Sequence, residues 1–389
     1  MDQALITESV GILFILAGNC AFWFYLEKAT GWRLFNYLPP LIFIYVVPAF
    51  FSNLGLIPGK SPAYDWMGTN LLPVFLTLLL LDVDVRATIK VMGKGIFVML
   101  VGSLGVIIGA PIGYAVVKGW LDPEAWKGFG TLAGSWIGGT GNMAAVSEGL
   151  QTSGTNFGLA VIADNAVYLI WLPILLQSKN LAGFFHRFTG VSDEHLDRMK
   201  NAADDLVIDK GKPAMRHLLY LMAIGLAVAS IAGMLSKYIP EIPPVLSSGT
   251  YKILIVTTIG LVLSFSPARK IPGSHELAMA LVYLFVARMG AKAVVTGLAG
   301  QAIPFVAGAY IWIFIHGLFI LAAARIFKID IHTAAISSAA NIGGAASAPI
   351  VAAFHDERLV PVSILMALVG YAVGNYGAFL AAWLCNLVA

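Results

Sequence analysis

Apolar residues in this chain come in long blocks, not in the alternations or half-faces of a water-soluble fold. Twelve blocks can be drawn, near 5–26, 36–51, 69–81, 95–117, 129–146, 157–177, 217–236, 251–265, 275–289, 302–324, 332–353 and 361–384. Most approach the roughly 20 residues a helix needs to cross a bilayer, and each reads as a membrane segment. Several are short or carry Pro and Gly, including Pro39, Pro40 and Pro48 in the second. Neighbouring helices or polar side chains can take up the backbone groups so freed. The pattern predicts an all-α polytopic membrane protein with about twelve transmembrane segments. One stretch interrupts it. Residues 178–216 hold seven Lys/Arg and six Asp/Glu and are too charged to cross. They read as a cytoplasmic linker, with amphipathic helix around Asp193 to Asp205, between a first transmembrane half (1–177) and a second (217–389).

Within the blocks, Ser135 to Asn165 stands out. Its first part is interrupted by Gly138, Gly139, Thr140, Gly141 and Asn142. Glycine costs about 1 kcal/mol relative to alanine inside a helix, so a broken helix is expected here. Its second part carries Asp164-Asn165 in the middle of an apolar run. A broken helix followed by a helix with an acid at membrane depth is the pattern of an ion or substrate site. A second interrupted segment, Ser337 to Pro349, contains Ser338, Asn341 and the sequence Ile342-Gly343-Gly344. Its small residues let backbones approach, and Pro349 removes a helix donor.

The halves repeat. Ile137-Gly138-Gly139 has a counterpart in Ile342-Gly343-Gly344, and the L-L-D-V-D-V-R-A run near 81 has one near 287, with Arg86 opposite Lys292. Both matches share an offset of about 205 residues, which marks an internal duplication. Secondary transporters place their site where such repeats meet. Twelve crossings with an offset of six would make the repeats parallel. An inverted pair needs an odd offset, hence a re-entrant or missed segment. The Lys/Arg count with twelve crossings, fourteen on one face and ten on the other, points to an inside N-terminus.

Composition sharpens the class. Hydrophobic residues make up 59% of the chain and charged residues 12%, with mean hydropathy +0.83. A soluble domain carries about 25% charged residues. The N-terminus lacks a basic n-region, so a cleavable signal is not expected. Cys20 and Cys385 both fall in apolar blocks and read as small hydrophobes. No basic tract or Cys/His spacing points to nucleic acid or structural zinc, and no nucleophile–base pair points to an enzyme.

The candidate chemistry centres on Asp164. A carboxylate at the middle of a membrane helix costs about 2.5–3.5 kcal/mol on insertion scales. It is retained where it binds a cation or cycles a proton; the alternative is a hydrogen-bonded structural aspartate. Asn165, Thr140, Asn142 and Asn341 can supply neutral oxygens, and hard cations such as sodium favour several such ligands. Asp164, Asn142 and Asn341 are the expected sodium ligands; no other cofactor is expected. Glu148 is either a ligand or a solvated residue at the membrane face. Asn375 stands in the second half where the first carries Asp164-Asn165. Asp82 and Asp84 read as membrane-edge ion pairs with Arg86 and Lys90, and His316 as a packing histidine or a proton relay.

The motifs L-L-L-L-D-V-D-V-R, G-G-T-G-N and A-D-N, in that order, resemble one repeat of the cation/proton antiporter and anion transporter superfamily. More closely, Gly134 to Val146 (G-S-W-I-G-G-T-G-N-M-A-A-V) and Ala340 to Pro349 (A-N-I-G-G-A-A-S-A-P) resemble the uncharacterised bacterial membrane family typified by YjcL. The resemblance implies two discontinuous helices crossing at the membrane centre and a core that moves against a panel or dimer domain. It also implies a homodimer in the bacterial cytoplasmic membrane. Asp164-Asn165 matches, in reversed order, the acid or Asn-Asp pair that the antiporters carry after their first broken helix. The expected function is secondary active transport of a small organic solute, anions included, driven by sodium or protons. A sodium/proton antiporter without organic substrate and an uncoupled channel are the alternatives.

Overall fold

The computed structural model describes residues 4–36, 38–84, 91–191, 211–293, 298 and 300–389, and these are almost wholly helical. The first half contains α1 (Ser9–Thr30), α2 (Pro40–Asn53), α3 (Pro62–Leu81), α4 (Gly95–Val117), α5 (Ala125–Gly149), α6 (Gly154–Gln177) and the short α7 (Ala182–Thr189). The second contains α8 (Met215–Leu235), α9 (Ser248–Leu263), α10 (Ser274–Ala291), α11 (Ala302–Phe327), α12 (Ile331–Ile342), α13 (Gly344–His355) and α14 (Val360–Leu387). Among the described residues, seven helical stretches are long and apolar enough to cross a membrane, and α2 and α9 are shorter apolar helices. Local sequence sets many boundaries. Ser61, Ser153, Ser247 and Asp330 accept backbone N–H bonds at the starts of α3, α6, α9 and α12, satisfying donors that a helix start leaves free.

The polar linker begins later than its charge suggests. Helical structure continues from α6 through a turn at Ser178–Leu181 into α7, where Phe185 is buried against Val98, Ile320 and Ala323. Apolar positions inside the charged run tie that part to the core. The amphipathic helix expected near Asp193 to Asp205 lies outside the described residues, as do Arg86 and Lys90. Among the described residues Asp84 pairs with Arg269 at 2.7 Å, and Asp82 accepts a 2.5 Å bond from Ser274 Oγ.

The expected crossing of two broken helices is corrected by the geometry. Each interrupted segment is a hairpin that turns back on itself. In α5 the break falls at Gly139, at φ 73° and ψ −175°. Its legs then run antiparallel, so that Thr131 Oγ1 and Thr152 Oγ1 lie 3.0 Å apart at the base. The legs pack at backbone distance: a Cβ on Gly134 would meet the Asn142 carbonyl oxygen at 3.0 Å. In the second hairpin, α12 and α13 are separated at Gly343-Gly344, with Gly344 at φ 57°. Its base is marked by His332 Nδ1 and His355 Nδ1, 3.0 Å apart. Both breaks need a positive φ, which glycine adopts without steric cost.

The hairpins enter from opposite ends. Helix α6 starts directly after the base of the first, and its Leu175 carbonyl accepts a bond from His355 at the base of the second. At 1.5 Å per residue its 24 residues span about 36 Å. The 12-residue legs α12 and α13 reach about 18 Å, half of that. The tips therefore meet midway, and a Cβ on Gly344 would sit 3.5 Å from the Gly139 Cα.

The helices sort into two groups, each drawing on both halves. Helices α1, α2, α3, α8, α9 and α10 pack chiefly on one another, and α4, α5, α6, α11, α12, α13 and α14 form the second group around the hairpins. Equivalent elements begin 206 to 208 residues apart for α1/α8, α2/α9, α4/α11, α5/α12 and α6/α14. Close approach holds the hairpin group together. Gly109 and Gly113 of α4 leave room for Trp312 and the Gly308 carbonyl of α11, and Gly370 and Gly374 of α14 lie against Ile137, Gly138 and Asn142.

Candidate functional site

The tip contact is flanked by polar groups from several elements. Asp164, partly exposed on α6, accepts 2.8 Å bonds from Ser135 Oγ and from Trp136 Nε1, both on the inbound leg of the first hairpin. Trp136 is fully buried and packs against Trp312 with ring centroids 4.4 Å apart. One turn beyond Asp164, the Tyr168 ring lies over the second hairpin: a Cβ on Gly343 would meet its Cε2 at 3.1 Å. Reciprocally, Tyr371 of α14 lies over the first, 3.2 Å from where a Cβ on Gly139 would be. Helix α6 thus ties one hairpin through its carboxylate and covers the other with its tyrosine.

Three asparagines expose the same chemistry. Asn142 donates through Nδ2 to the Tyr371 carbonyl (3.1 Å), Asn341 to Ser103 Oγ (2.8 Å) and Asn375 to Thr257 Oγ1 (2.8 Å). Tyr371 offers only a carbonyl oxygen. Ser103 and Thr257 already donate their protons to the helix carbonyls of Met99 and Ile253. Each partner must therefore accept, which fixes the amide orientation. The three amide oxygens, on residues with no exposed surface, are left without a hydrogen-bond partner among the described residues. Buried acceptors of this kind are uncommon, and each has room for a further donor or a cation. Two of them flank the hairpin tips: Asn142 follows Gly139 by three residues, and Asn341 precedes Gly344 by three. Asn375 sits apart, where α14 meets α9.

The remaining sequence candidates have other surroundings. Asn165 donates to the Val161 carbonyl of its own helix. Thr140 is half-buried at the first tip. Ser338 lies in a buried relay, 3.0 Å from His316 Nε2 and 2.9 Å from the Trp171 Nε1 that donates to it, while His316 Nδ1 is 2.9 Å from the Gly102 carbonyl. A carbonyl cannot donate, so Nδ1 carries the proton. Ser338 then donates to Nε2, and every group is satisfied with a neutral imidazole. Glu148 lies away from the tips, partly exposed, and forms an ion pair with Arg288, Nη1 to Oε2 at 2.8 Å, while Arg288 is 1% exposed. No hydrogen bond among the described residues joins Asp164 to Asn142 or Asn341, and no group of three or more His, Cys, Asp or Glu side chains converges among them. Reading the sequence missed Ser135, Trp136, Ser103, Tyr168, Tyr371 and Arg288. Ser135-Trp136 sits one residue before the first glycine pair and could have been picked out there; the others are joined only by the fold.

Apolar helices around two opposed re-entrant hairpins, with a carboxylate and orphaned amide oxygens about their tips, define a multi-pass helical membrane protein of transporter-like build. Residues 12–387 match the family described as "Protein of unknown function (DUF819)", and the chain belongs to that family. It is 26% identical over 350 residues to the uncharacterized membrane protein YjcL of Bacillus subtilis (strain 168), covering 87% of this chain and 88% of that relative.

Proposed function

We propose that the protein is a secondary active transporter that carries a small organic solute past the two hairpin tips, coupled to sodium or protons at Asp164. The observation that carries this reading is the glycine-to-glycine contact of two hairpins entering from opposite ends. Such a contact offers a solute site reachable from either side, closed by few side chains. Hairpin tips also present helix ends, whose partial charges meet ions and anionic groups. Asp164 suits coupling because it bonds to the first hairpin while its helix covers the second; binding a cation or proton there changes both at once. Asn142 and Asn341 Oδ1 are the neutral oxygens proposed to complete a sodium shell, with Thr140 and Asn165 as further candidates.

The hairpins also revise the topology. If neither crosses, ten segments do, and the repeat offset of five is odd, as inverted repeats require. The end that holds the base of the first hairpin then carries Lys60, Lys118, Lys127, Lys237, Lys252, Arg288 and Lys292 of the chain's 24 Lys and Arg. The remainder belong to the opposite end or to connections that start and finish there. By the positive-inside rule that opposite end is cytoplasmic and the N-terminus is outside, contrary to the expectation from twelve crossings. The membrane is proposed to be the bacterial cytoplasmic membrane.

The test is thermal stability of the detergent-purified protein in sodium against potassium or choline, at fixed ionic strength, with uptake into proteoliposomes measured alongside. A ligand that binds only the folded state stabilises it by mass action. Sodium should raise the melting temperature of wild type and not of Asp164→Asn, and gradient-driven uptake should vanish in the variant. Full uptake by Asp164→Asn would sink the assignment.

A further inference from the structure

A second polar centre lies far from the tips, at the base of the first hairpin. Glu148 is on its returning leg and Arg288 on α10, so their ion pair joins the hairpin group to the other group of helices. It sits beneath the one-turn widening of α3 at Met67–Leu71, and such π-turns recur at functional sites. Gly68 in that turn has no room for a side chain: a Cβ there would fall 2.3 Å from Glu148 Oε1 and 2.7 Å from Arg288 Nη2. The backbone has been drawn onto the pair. A cavity of about 490 Å³ opens beside Glu148, lined by Gly68, Thr69, Glu148, Lys237, Ser248 and Lys252 among others; Arg288 is buried behind the Glu148 carboxylate and does not itself line the cavity.

The charge balance is unequal. Lys252 lies within electrostatic reach of Glu148 and Lys237, and Lys292 within reach of Arg288, Glu148 and Asp65. Four cations thus gather around Glu148, Asp65 and Glu241, the last accepting a 2.7 Å bond from the Ser248 N–H on the cavity wall. Lys252 Nζ donates to the Thr69 carbonyl at 2.7 Å, a neutral partner that positions the ammonium beside the cavity. Arg288 stacks over Phe285, 4.8 Å from ring centroid to Cζ, and its buried Nε–H has no partner among the described residues. Glu148 therefore does not saturate the guanidinium. Burying an ion pair rarely adds net stability over apolar packing, so stability alone does not account for this one.

We infer that this cavity binds a small organic carboxylate, with Arg288 as its principal recognition group and Lys252 and Lys237 at the mouth, and that the Glu148 carboxylate occupies Arg288 in place of the ligand in the state seen here. The arriving carboxylate exchanges with Glu148 on the planar fork of Arg288, a geometry that favours bidentate carboxylate contacts. Exchange frees the hairpin leg from α10 and so releases the ion pair between the two groups of helices. The inference rests on the transporter reading only in making the ligand the transported solute; binding itself does not require transport.

The experiment is calorimetric titration of the full-length protein in phosphatidylcholine nanodiscs with acetate, succinate, L-glutamate and citrate. Succinamide serves as the uncharged control and sulfate as the dianion without a carboxylate. Glu148 acts as an internal competitor, so it lowers the fraction of protein competent to bind. Glu148→Gln should then bind at least one carboxylate about tenfold or more tightly than wild type. Arg288→Lys and the partly exposed Lys252→Gln should weaken it, and succinamide should not bind. The inference is overturned if no carboxylate binds either wild type or Glu148→Gln, or if affinity is the same in Glu148→Gln and Lys252→Gln as in wild type. It is equally overturned if only added phosphatidylglycerol or sulfate occupies the site, since lipid or simple anion binding would then explain the lysines. Uptake is scored separately. Carboxylate binding without any gradient-driven flux removes the transporter reading and keeps the site. Flux of some solute with no carboxylate bound at Arg288 does the reverse.

Discussion

The tip-to-tip meeting of the hairpins can be tested through backbone strain. Gly139 stands at φ 73° and ψ −175°, a region that only glycine occupies readily. Holding another residue there costs of order 1–3 kcal/mol. Replacing glycine by alanine also reduces the freedom of the unfolded chain, worth about 0.4–1 kcal/mol in the opposite sense. Gly139→Ala should therefore be destabilising by about 1–2 kcal/mol in net. Gly119 provides the control: it is exposed at the end of α4, has no positive φ, and an added Cβ would meet nothing within 4 Å. Gly119→Ala should be neutral or slightly stabilising. Gly344→Ala adds its own strain at φ 57° and brings a methyl to 3.5 Å from the Gly139 Cα. Because residues in contact couple, the double variant should depart from the sum of the single ones by at least about 0.5 kcal/mol. The assay is unfolding in mixed SDS and dodecylmaltoside micelles, followed by tryptophan fluorescence and compared at equal slope. A Gly139→Ala protein as stable as Gly119→Ala would refute the strained-tip geometry. Strict additivity with Gly344→Ala would refute the contact between the tips.

Other expectations follow from single contacts. Tyr45, buried on α2, donates a 2.7 Å bond to the Gly154 carbonyl at the start of α6. Tyr45→Phe should cost about 1–3 kcal/mol, as a buried acceptor left unmet does, in the same micelle titration; no loss would show that water replaces the hydroxyl. Sidedness can be read with an impermeant maleimide on intact cells, using Gly119→Cys and Lys270→Cys in a chain with Cys20→Ala and Cys385→Ala. Both positions are exposed, at opposite ends of the helices. Only Gly119→Cys should label if the first hairpin opens outward; labelling of Lys270→Cys alone would reverse the orientation.

The apolar blocks alone determined that this is a helical membrane protein, because that much hydrophobic surface cannot be hidden in a water-soluble chain of this size. The sequence also located both breaks to within a few residues, at Gly138–Asn142 and Asn341–Pro349; the structure narrows them to the glycines with positive φ, Gly139 and Gly344, while Pro349 stays inside α13. Asp164 was legible as the one acid in the middle of a block. What the sequence left open was which way the chain goes after each break, because glycine permits a kink and a reversal equally. Packing decides between them. Gly134 and Gly138 let the legs of the first hairpin close to backbone distance, and the base is latched by Thr131 with Thr152, as His332 with His355 latches the second. The partners of the polar groups were hidden for a related reason. Glu148 and Arg288 are 140 positions apart, and Asn341 and Ser103 are 238 apart. Their pairing depends on which helix faces are driven together when the hairpins seat. Local pattern carries each residue's own preference for apolar or polar surroundings, but the identity of its neighbour exists only once the two groups of helices have closed on each other.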